Sequence, residues 1–146
     1  MEYNINSVIS LISRIHTQTA EFTNKMLSSH NFVSSHGFIL FLLSENMEMT
    51  MGEIAKKINR DKSTTTFLIR KLIDENLVKS TQSKKDSRKK IISLTAEGKK
   101  YNNFTSEISN KLLSICYKDF STEEKEKLLN LLEKMSLNLE KEEAKA

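Results

Sequence analysis

Residues 61–94 read DKSTTTFLIRKLIDENLVKSTQSKKDSRKKIISL. The stretch begins with an acidic residue that can cap a helix and continues with an apolar period of about 3.6 residues. It ends in two short apolar segments on either side of a charged loop, the pattern of a β-hairpin. This order of elements predicts a helix-turn-helix motif whose second helix runs into a basic β-wing.

Positive charge is concentrated around that stretch. Residues 52–100 carry fourteen Lys or Arg against six Asp or Glu, a net charge of +8, whereas the rest of the chain carries nine against thirteen, a net charge of −4. The net charge of the whole chain, +4, hides this separation. Duplex DNA is bound largely by Lys and Arg that neutralise its phosphates, so the location of the charge says more than its total. The distribution favours double-stranded DNA as a partner.

Length and composition limit the class of protein. A chain of 146 residues fits one domain, and the absence of proline, with three glycines, favours long uninterrupted helices. The single cysteine, Cys116, excludes an internal disulfide framework. The longest strictly apolar run, residues 38–43, is far shorter than the roughly 18 residues of a membrane span, and no apolar leader follows basic residues at the N-terminus. We therefore expect a soluble, cytoplasmic protein.

Two helices are predicted before the helix-turn-helix. The first carries an apolar stripe at alternating spacings of four and three, which form one face of a long helix: Val8, Ile12, Ile15, Thr19, Phe22 and Met26. The second begins at about Ser34, whose hydroxyl can cap it. It is more apolar than a surface helix should be, with Phe38, Ile39, Phe41, Leu42 and Leu43. The second helix is therefore predicted to be the central buried one.

The helix-turn-helix has clear start signals. Thr50 and Glu53 have the spacing of a capping box, in which hydroxyl and carboxylate satisfy each other's backbone N–H groups, so a short third helix is predicted there. Asn59 and Arg60 then interrupt the apolar period. Asp61 can cap the fourth helix, where its negative charge also suits the positive end of the helix dipole.

At about 100° per residue, the fourth helix divides into two faces. The inward face is predicted to hold Thr65, Leu68, Ile69 and Leu72, and the outward face Ser63, Thr66, Phe67, Arg70 and Asp74. Ser63 and Thr66 are short donors and acceptors that suit the major groove of DNA. Arg70 can pair with guanine or phosphate, Phe67 can touch a thymine methyl group, and Lys62 can hold a phosphate. An ordinary solvated helix face has a similar composition, so this interpretation depends on the wing beside it.

The predicted wing consists of two strands and a solvated loop. The strands contain Leu77 and Val78 on one side and Ile91, Ile92 and Leu94 on the other. The loop, SKKDSRKK, holds six charged residues and no apolar one. Charge runs are usually solvated surface or disordered tails, but two flanking strands favour a rigid cationic finger here.

Asp86 and Arg88 are the most informative residues of the loop. They are two residues apart, close enough for the carboxylate to orient the guanidinium. An arginine at a wing tip can enter the negative potential of a narrow minor groove. The other basic residues are predicted to contact the DNA backbone: Lys84, Lys85, Lys89 and Lys90.

Three segments carry a resemblance to a known family: DKSTTTFLIRKLIDENLV, the Asp-Ser-Arg of the wing, and the strand-to-helix junction ISLTAEGKK. In order and spacing they resemble the MarR family of winged-helix transcriptional regulators, and the D-x-R wing followed by L-T-x-x-G is the most specific part. The resemblance covers the DNA-binding core strongly and the rest of the chain through helix lengths. It implies a mostly helical homodimer that binds palindromic operators and commonly represses transcription until a small molecule or an oxidant releases it.

The resemblance also assigns positions. Asp86 and Arg88 correspond to the wing pair, and the recognition-helix positions that approach DNA correspond to Ser63, Thr64 and Thr66. Phe67 departs from the family, whose members often have a basic residue there, which bears on the DNA sequence that is bound. Asn76 stands where members often have glycine, but asparagine tolerates the left-handed conformation of a helix stop.

Two further helices are predicted after the wing. Thr95 can cap a fifth helix, whose apolar residues are Tyr101, Phe104, Ile108, Leu112 and Ile115. Ser121 and Glu124 form a second capping box, which opens a final helix. Its apolar surface comprises Leu128, Leu129, Leu131, Leu132, Met135 and Leu139. That surface is broader than a lone terminal helix can cover.

A second copy of the chain can bury the excess. Packing the first and last helices across a two-fold axis would place two recognition helices about 34 Å apart, one turn of duplex. Alternatively, these leucines only cover the protein's own core. We expect a single domain, residues 1–146, with a winged helix-turn-helix core at 34–96 and a helical dimerisation region at 1–30 and 97–146. The expected fold class is mostly α with a small β-hairpin wing.

The sequence says less about an effector. His16 flanks the apolar stripe of the first helix and His36 lies near the start of the second, so both are candidates for a small-molecule pocket. Without a cluster at ligand spacing, each is more often a packed or capping histidine, and neither a metal nor a cofactor is predicted. Cys116 is expected to be an inert, semi-buried thiol, with redox sensing as the alternative.

The motifs of enzymes are missing. The sequence has no glycine-rich phosphate loop, no H-E-x-x-H motif and no nucleophile with an evident base. The favoured function is a homodimeric, ligand-responsive, sequence-specific transcriptional regulator that acts as a repressor. The alternatives are an architectural, sequence-independent DNA binder and a winged-helix module that binds a protein partner.

Overall fold

The computed structural model describes residues 4–28 and 31–145. Over these residues the chain forms six helices and three short strands, and the expected fold class is confirmed. The elements are α1 (Ile5–Leu27), α2 (Ser34–Asn46), β1 (Glu48–Thr50), α3 (Met51–Ile58), α4 (Lys62–Asp74), β2 (Val78–Gln82), β3 (Lys90–Leu94), α5 (Ala96–Cys116) and α6 (Thr122–Lys145). The chain divides into two compact units within α5, at Leu112 and Leu113. Among the described helices, none has the length and apolar character that a membrane crossing requires.

The core of the first unit is built around α2, as predicted. Ile39 and Leu40 of α2 are completely buried, together with residues of α1, α3, α4 and β3, namely Leu27, Ile54, Leu72 and Ile92. Phe38 and Phe41, also on α2, remain exposed at 43% and 45%. The central position of α2 is confirmed, but one of its faces lies open.

The start of α2 differs from the prediction. The hydroxyl of Ser34 does not cap the helix. Instead, Nδ1 of His36 accepts a hydrogen bond from the backbone N–H of Val33 at 3.0 Å. The backbone N–H of Ser34 donates to Oδ1 of Asn24 at 2.7 Å, which ties the start of α2 to α1. A side chain at the third helical position can reach back to this N–H group as the glutamate of a capping box does, and here an imidazole takes that role.

The sheet has one strand more than the sequence indicated. Its order is β1-β3-β2, and both pairings are antiparallel. Met49 of β1 lies opposite Ile92 of β3, and both are buried. A three-residue strand is too short to show the alternation that predicts a strand, so β1 was missed. Thr50 ends β1 and also caps α3, because its hydroxyl accepts from the N–H of Glu53 at 3.2 Å.

The junction between α4, the wing and α5 is closely packed. Asn76 ends the turn after α4 with a positive φ of 59°, as expected for this helix stop. The Thr95 hydroxyl donates to the carbonyl oxygen of Asn76 at 2.6 Å and accepts from the N–H of Gly98 at 2.9 Å, which confirms its capping role. The N–H of Thr95 donates to the carbonyl oxygen of Leu77 at 3.1 Å. A Cβ atom on Gly98 would lie 1.9 Å from that same oxygen, so the L-T-x-x-G segment fixes the base of the wing through a close backbone approach.

The second unit consists of the end of α5 and α6. The N–H of Ser121 donates to Oε1 of Glu124 at 2.9 Å, and the N–H of Glu124 donates to the Ser121 hydroxyl at 3.1 Å. Both halves of the predicted capping box are therefore confirmed. None of the described residues of α6 is buried, and its leucines face solvent within this unit.

Candidate nucleic-acid interface

The start of α4 is fixed by Asp61. Its Oδ1 atom accepts from the N–H of Thr64 at 2.7 Å and from the hydroxyl of Ser63 at 3.0 Å. The hydrogen bond from the Thr64 backbone, followed by those from the Thr64 and Ser63 side chains, lowers the pKa of the Asp61 carboxyl. The carboxylate therefore stays ionised at neutral pH, and the first turn of α4 has a defined orientation.

The inward face of α4 is the one that was predicted. It consists of Thr65, Leu68, Ile69 and Leu72, all of which are buried. The hydroxyl of Thr65 donates to the carbonyl oxygen of Asp61 at 2.8 Å, so its burial leaves no unsatisfied hydrogen. The opposite face of the helix is therefore held toward solvent.

The outward face presents most of the predicted DNA-contacting residues of α4. Exposed on it are Lys62, Ser63, Phe67, Arg70 and Asp74, and half-buried are Thr64 and Thr66. Phe67 is 71% exposed, an unusual degree for a phenyl ring. The hydroxyl of Thr66 donates to the carbonyl oxygen of Lys62 at 2.8 Å. This corrects one expectation, because the hydroxyl hydrogens of Ser63 and Thr66 are both used within the helix, and only their acceptor lone pairs face outward.

The wing loop is ordered by its own hydrogen bonds. The backbone N–H of Ser83 donates to the carbonyl oxygen of Lys89 at 2.9 Å, and the N–H of Lys89 donates to the carbonyl oxygen of Asp86 at 3.0 Å. The Ser83 hydroxyl oxygen accepts from the N–H groups of Lys85 and Asp86, and the Gln82 amide donates to the carbonyl oxygen of Ser87. Sequence reasoning missed Gln82 and Ser83 as organisers of the loop. The sequence did contain a signal, because Ser83 lies two and three residues before the N–H groups that it caps.

Asp86 and Arg88 pair at the tip of the wing, as predicted. Oδ1 of Asp86 accepts from Nε of Arg88 at 3.2 Å and from its backbone N–H at 3.1 Å. These bonds, the backbone one foremost, lower the pKa of the Asp86 carboxyl. The side chain of Arg88 is 90% exposed, so Asp86 holds the start of the guanidinium while leaving the remainder free to approach a ligand. The four lysines of the loop are exposed as well: Lys84, Lys85, Lys89 and Lys90.

The α4 face and the wing belong to one continuous structure. α4 packs against β2, and the backbone passes from one to the other through Asn76 and Leu77. Arg70 on the helix and Arg88 on the wing both lie within the basic segment of the chain. The exposed face of α4 and the cationic wing therefore lie on elements that pack against each other.

The predicted effector residues lie outside the groove between the sheet and α5. His16 is exposed on α1, whereas His36 is buried at the start of α2. Neither lines a groove of about 650 Å³ between the end of α2, the sheet and α5, where Ser44, Lys79 and Lys99 are found. Within the described residues there is no group of three or more His, Cys, Asp or Glu that could hold a metal ion.

The surroundings of His36 lower its pKa and keep its ring neutral. Its ring lies 5.0 Å from that of Phe32, and the ammonium of Lys71 lies 5.4 Å above the same Phe32 ring while donating to the carbonyl oxygen of Asn31 at 2.6 Å. Burial, and secondarily the positive charge of Lys71, lowers the pKa of His36 from 6.5 to about 4. Nδ1 is a capping acceptor, which requires the neutral ring.

Acidification below pH 6.5 should therefore destabilise the protein through His36. Between pH 6.5 and about 4 the unfolded chain binds a proton at His36 that the folded chain does not. The free energy of unfolding should thus be unaffected by this group above pH 6.5 and should fall by roughly 2 kcal/mol as the pH drops through that window. Urea titrations at several pH values measure the slope.

The control variant is His36→Gln, whose amide oxygen can also accept from the Val33 N–H. It should show a shallower fall in stability over the same window. Asp61 and Asp86 have pKa values below 3.8, so their stabilising contributions are lost only in more acidic solution. An unchanged slope in His36→Gln would contradict the assignment.

Cys116 does not have the expected environment. The thiol ends α5 and is exposed, whereas a semi-buried position was expected. The apolar period of α5 continues up to Ile115, but that residue is itself 55% exposed, so the period does not signal burial at this end of the helix.

Comparison with known proteins agrees with this architecture. The model of the MarR family matches residues 34–90. The HTH-type transcriptional regulator SarZ of Staphylococcus aureus (strain USA300) is 33% identical over 79 residues, which are 53% of this chain and 53% of SarZ. The chain thus matches about half the length of this curated relative.

Solved structures extend the likeness beyond the core. A MarR protein of Peptoclostridium difficile DA00132 superimposes with a TM-score of 0.80 at 28% identity, covering 97% of this chain and 91% of that one. A mutant MarR from E. coli, complexed with operator DNA, superimposes with a TM-score of 0.78 at 20% identity, covering 90% of this chain and 94% of that one. At that lower identity the likeness concerns the fold. The winged core of this chain, residues 34–90, thus matches the MarR family, and over nearly its whole length the chain has the fold of MarR proteins.

Proposed function

We propose that this protein is a DNA-binding transcriptional regulator that recognises a palindromic operator as a homodimer in the cytoplasm. The observation that carries the proposal is the ordered wing tip, where Asp86 holds an arginine that is 90% exposed, beside a helix whose outward face is free. SarZ, the relative from Staphylococcus aureus, is a transcriptional regulator, and the E. coli MarR structure contains operator DNA. No enzymatic activity is proposed, since MarR proteins are transcriptional regulators.

In this proposal each part of the interface has its own role. α4 enters the major groove with Ser63, Thr66, Phe67 and Arg70 toward the bases, while Lys62 and Thr64 lie near the sugar-phosphate backbone. The wing follows the adjacent minor groove, with Arg88 inserted and its lysines on phosphates. The basic segment supports this role because it places a net charge of +8 on the elements that would face DNA.

A second copy of the chain is the proposed cover for the terminal helices. On α1, Val8, Ile12 and Ile15 are 37%, 39% and 49% exposed. On α6, considered by itself, Leu128 and Leu132 are 41% and 40% exposed. Such apolar stripes on single chains commonly mark interfaces. We therefore assign dimerisation to 1–30 and 97–146 and DNA binding to 34–96, and we expect half-sites about one turn of duplex apart.

Repression and release by a small molecule complete the proposal. They rest on the family, in which a bound ligand commonly weakens operator binding. His16 and His36 remain the sequence-based candidates for an effector site, and His36 is also explained by its capping and packing. Both residues are proposed as effector contacts from their positions in the sequence.

Selection of bound sequences from a random duplex pool at near-physiological salt tests this function. Enrichment of an inverted repeat with half-sites about 10 base pairs apart is the expected result, with a preference of roughly 10³ or more over random DNA. Binding without enrichment would indicate an architectural protein that does not read sequence. A lack of binding, by protein whose native mass spectrum shows no small molecule, would favour a module that binds a protein partner.

A further inference from the structure

Phe67 is the one aromatic side chain on the outward face of α4. It is 71% exposed, which costs solvation energy in the free protein. Its helical neighbours on that face, Ser63, Thr66 and Arg70, are polar, so the ring belongs to no apolar patch on the helix. On a face whose other residues are polar, such a ring is available for apolar contact with a partner, and aromatic side chains are frequent among the residues that dominate binding.

The hydrogen bonds of the neighbouring residues narrow what this face can read. Ser63 donates its hydroxyl hydrogen to the carboxylate of Asp61, and Thr66 donates its own to the carbonyl of Lys62. Carboxylates and carbonyls have no hydrogen to give, so in both bonds the hydroxyl is the donor. What remains on the central part of the face is two acceptor oxygens and the phenyl ring, with Arg70 as the donor one turn further along.

From this arrangement we infer that Phe67 determines specificity by packing against the 5-methyl group of thymine in each half-site. The inference rests on the proposed function. Of the four bases, only thymine presents an apolar group, its 5-methyl, in the major groove. Apolar side chains recognise this group by direct contact. The adenine paired with that thymine offers its amino group as a donor, which suits the acceptor oxygens of Ser63 and Thr66. A basic residue at position 67 would instead favour guanine or phosphate.

Replacement of thymidine by deoxyuridine tests the contact between the Phe67 ring and the methyl group. Deoxyuridine keeps every hydrogen bond of thymine and lacks only the methyl group. Each thymine of the selected operator is replaced in turn, and the dissociation constant is measured at fixed salt. We expect one or two positions in each half-site at which the loss of the methyl group weakens wild-type binding about fourfold. Elsewhere in the operator the replacement should have little effect.

Three variants connect the effect to the ring. In Phe67→Ala the sensitivity to deoxyuridine should disappear at those positions, because a double-mutant cycle isolates the ring-methyl contact. Phe67→Leu should keep most of it, since a branched apolar side chain can still reach the methyl group. Phe41→Ala, which removes another exposed ring on α2, should keep all of it. The high exposure of Phe67 means that its two substitutions leave folding unchanged, and urea unfolding verifies that all three variants are folded.

The outcomes separate this inference from the proposed function. If an operator is selected but no thymine in it is sensitive to deoxyuridine, the assignment of Phe67 is overturned while the regulator remains. The same holds if the sensitivity persists unchanged in Phe67→Ala. If no operator can be selected, the proposed function itself has failed before the uridine scan begins.

Discussion

Replacing Gly98 by alanine should lower the free energy of unfolding by about 3 kcal/mol or more, the largest stability effect that we expect from a single added methyl group. The new Cβ atom would lie 1.9 Å from the carbonyl oxygen of Leu77 and 2.9 Å from its carbonyl carbon. Neither atom can rotate away, because both belong to the backbone. The same oxygen accepts the hydrogen bond from Thr95, so α5 can retreat only by breaking the contact that fixes the base of the wing.

The other two glycines provide matched controls. A Cβ atom on Gly52 meets nothing within 4 Å, so Gly52→Ala in α3 should be neutral or stabilise by up to about 1 kcal/mol through helix propensity. A Cβ atom on Gly37 would meet Thr105 at 3.7 Å, an ordinary contact, so little change is expected there. Urea midpoints at constant m-value measure all three variants. Equal midpoints for Gly98→Ala and the wild type would show that the junction can relax, contrary to this account.

Local patterns predicted much of the winged core. Asp61 caps α4, Asn76 ends the following turn with positive φ, and Thr95 caps α5, all as the sequence indicated. Each of these signals depends on residues that are at most a few positions apart, and such short-range chemistry survives in the folded protein. The inward face of α4 was predicted for the same reason, because helical geometry alone determines it.

Features that depend on contacts between distant segments were not predictable in this way. The strand β1 exists because Met49 pairs with Ile92, more than forty residues along the chain, and three residues carry no pattern of their own. The imidazole of His36 replaced the expected Ser34 cap. Phe32 packs against this ring, and the positive charge of Lys71 lowers its pKa. The DNA-contacting roles, by contrast, remain predictions, because they depend on contacts that the fold alone does not determine.

The wing orders part of its arginine side chain before any ligand binds. A long arginine side chain loses much rotamer freedom when it is held in a narrow groove, and prior ordering of its first part reduces that cost. Asp86 provides such ordering through two hydrogen bonds, and the turn around it is held by Ser83 and Lys89. The binding energy of the wing should therefore depend on the loop arrangement as well as on its charge.

Replacing Arg88 by alanine should weaken operator binding by about ten- to a hundredfold and reduce the salt dependence of binding by about one ion. The side chain is 90% exposed in the free protein, so the substitution should leave the urea midpoint unchanged. The loss should appear on many duplexes, because an arginine in the minor groove responds to groove width and phosphate potential more than to individual bases. Titration of labelled operator at two or more salt concentrations measures both quantities.

Two variants make the result specific to the wing tip. Lys127→Ala removes the same charge from α6, outside the basic segment, and should change affinity far less. Asp86→Asn retains the size of the side chain but weakens the bond that orients the guanidinium, so it should lie between the wild type and Arg88→Ala even though it makes the wing more positive. Tighter binding by Asp86→Asn would mean that net charge alone governs the wing. Wild-type affinity in Arg88→Ala would remove the wing from the DNA interface.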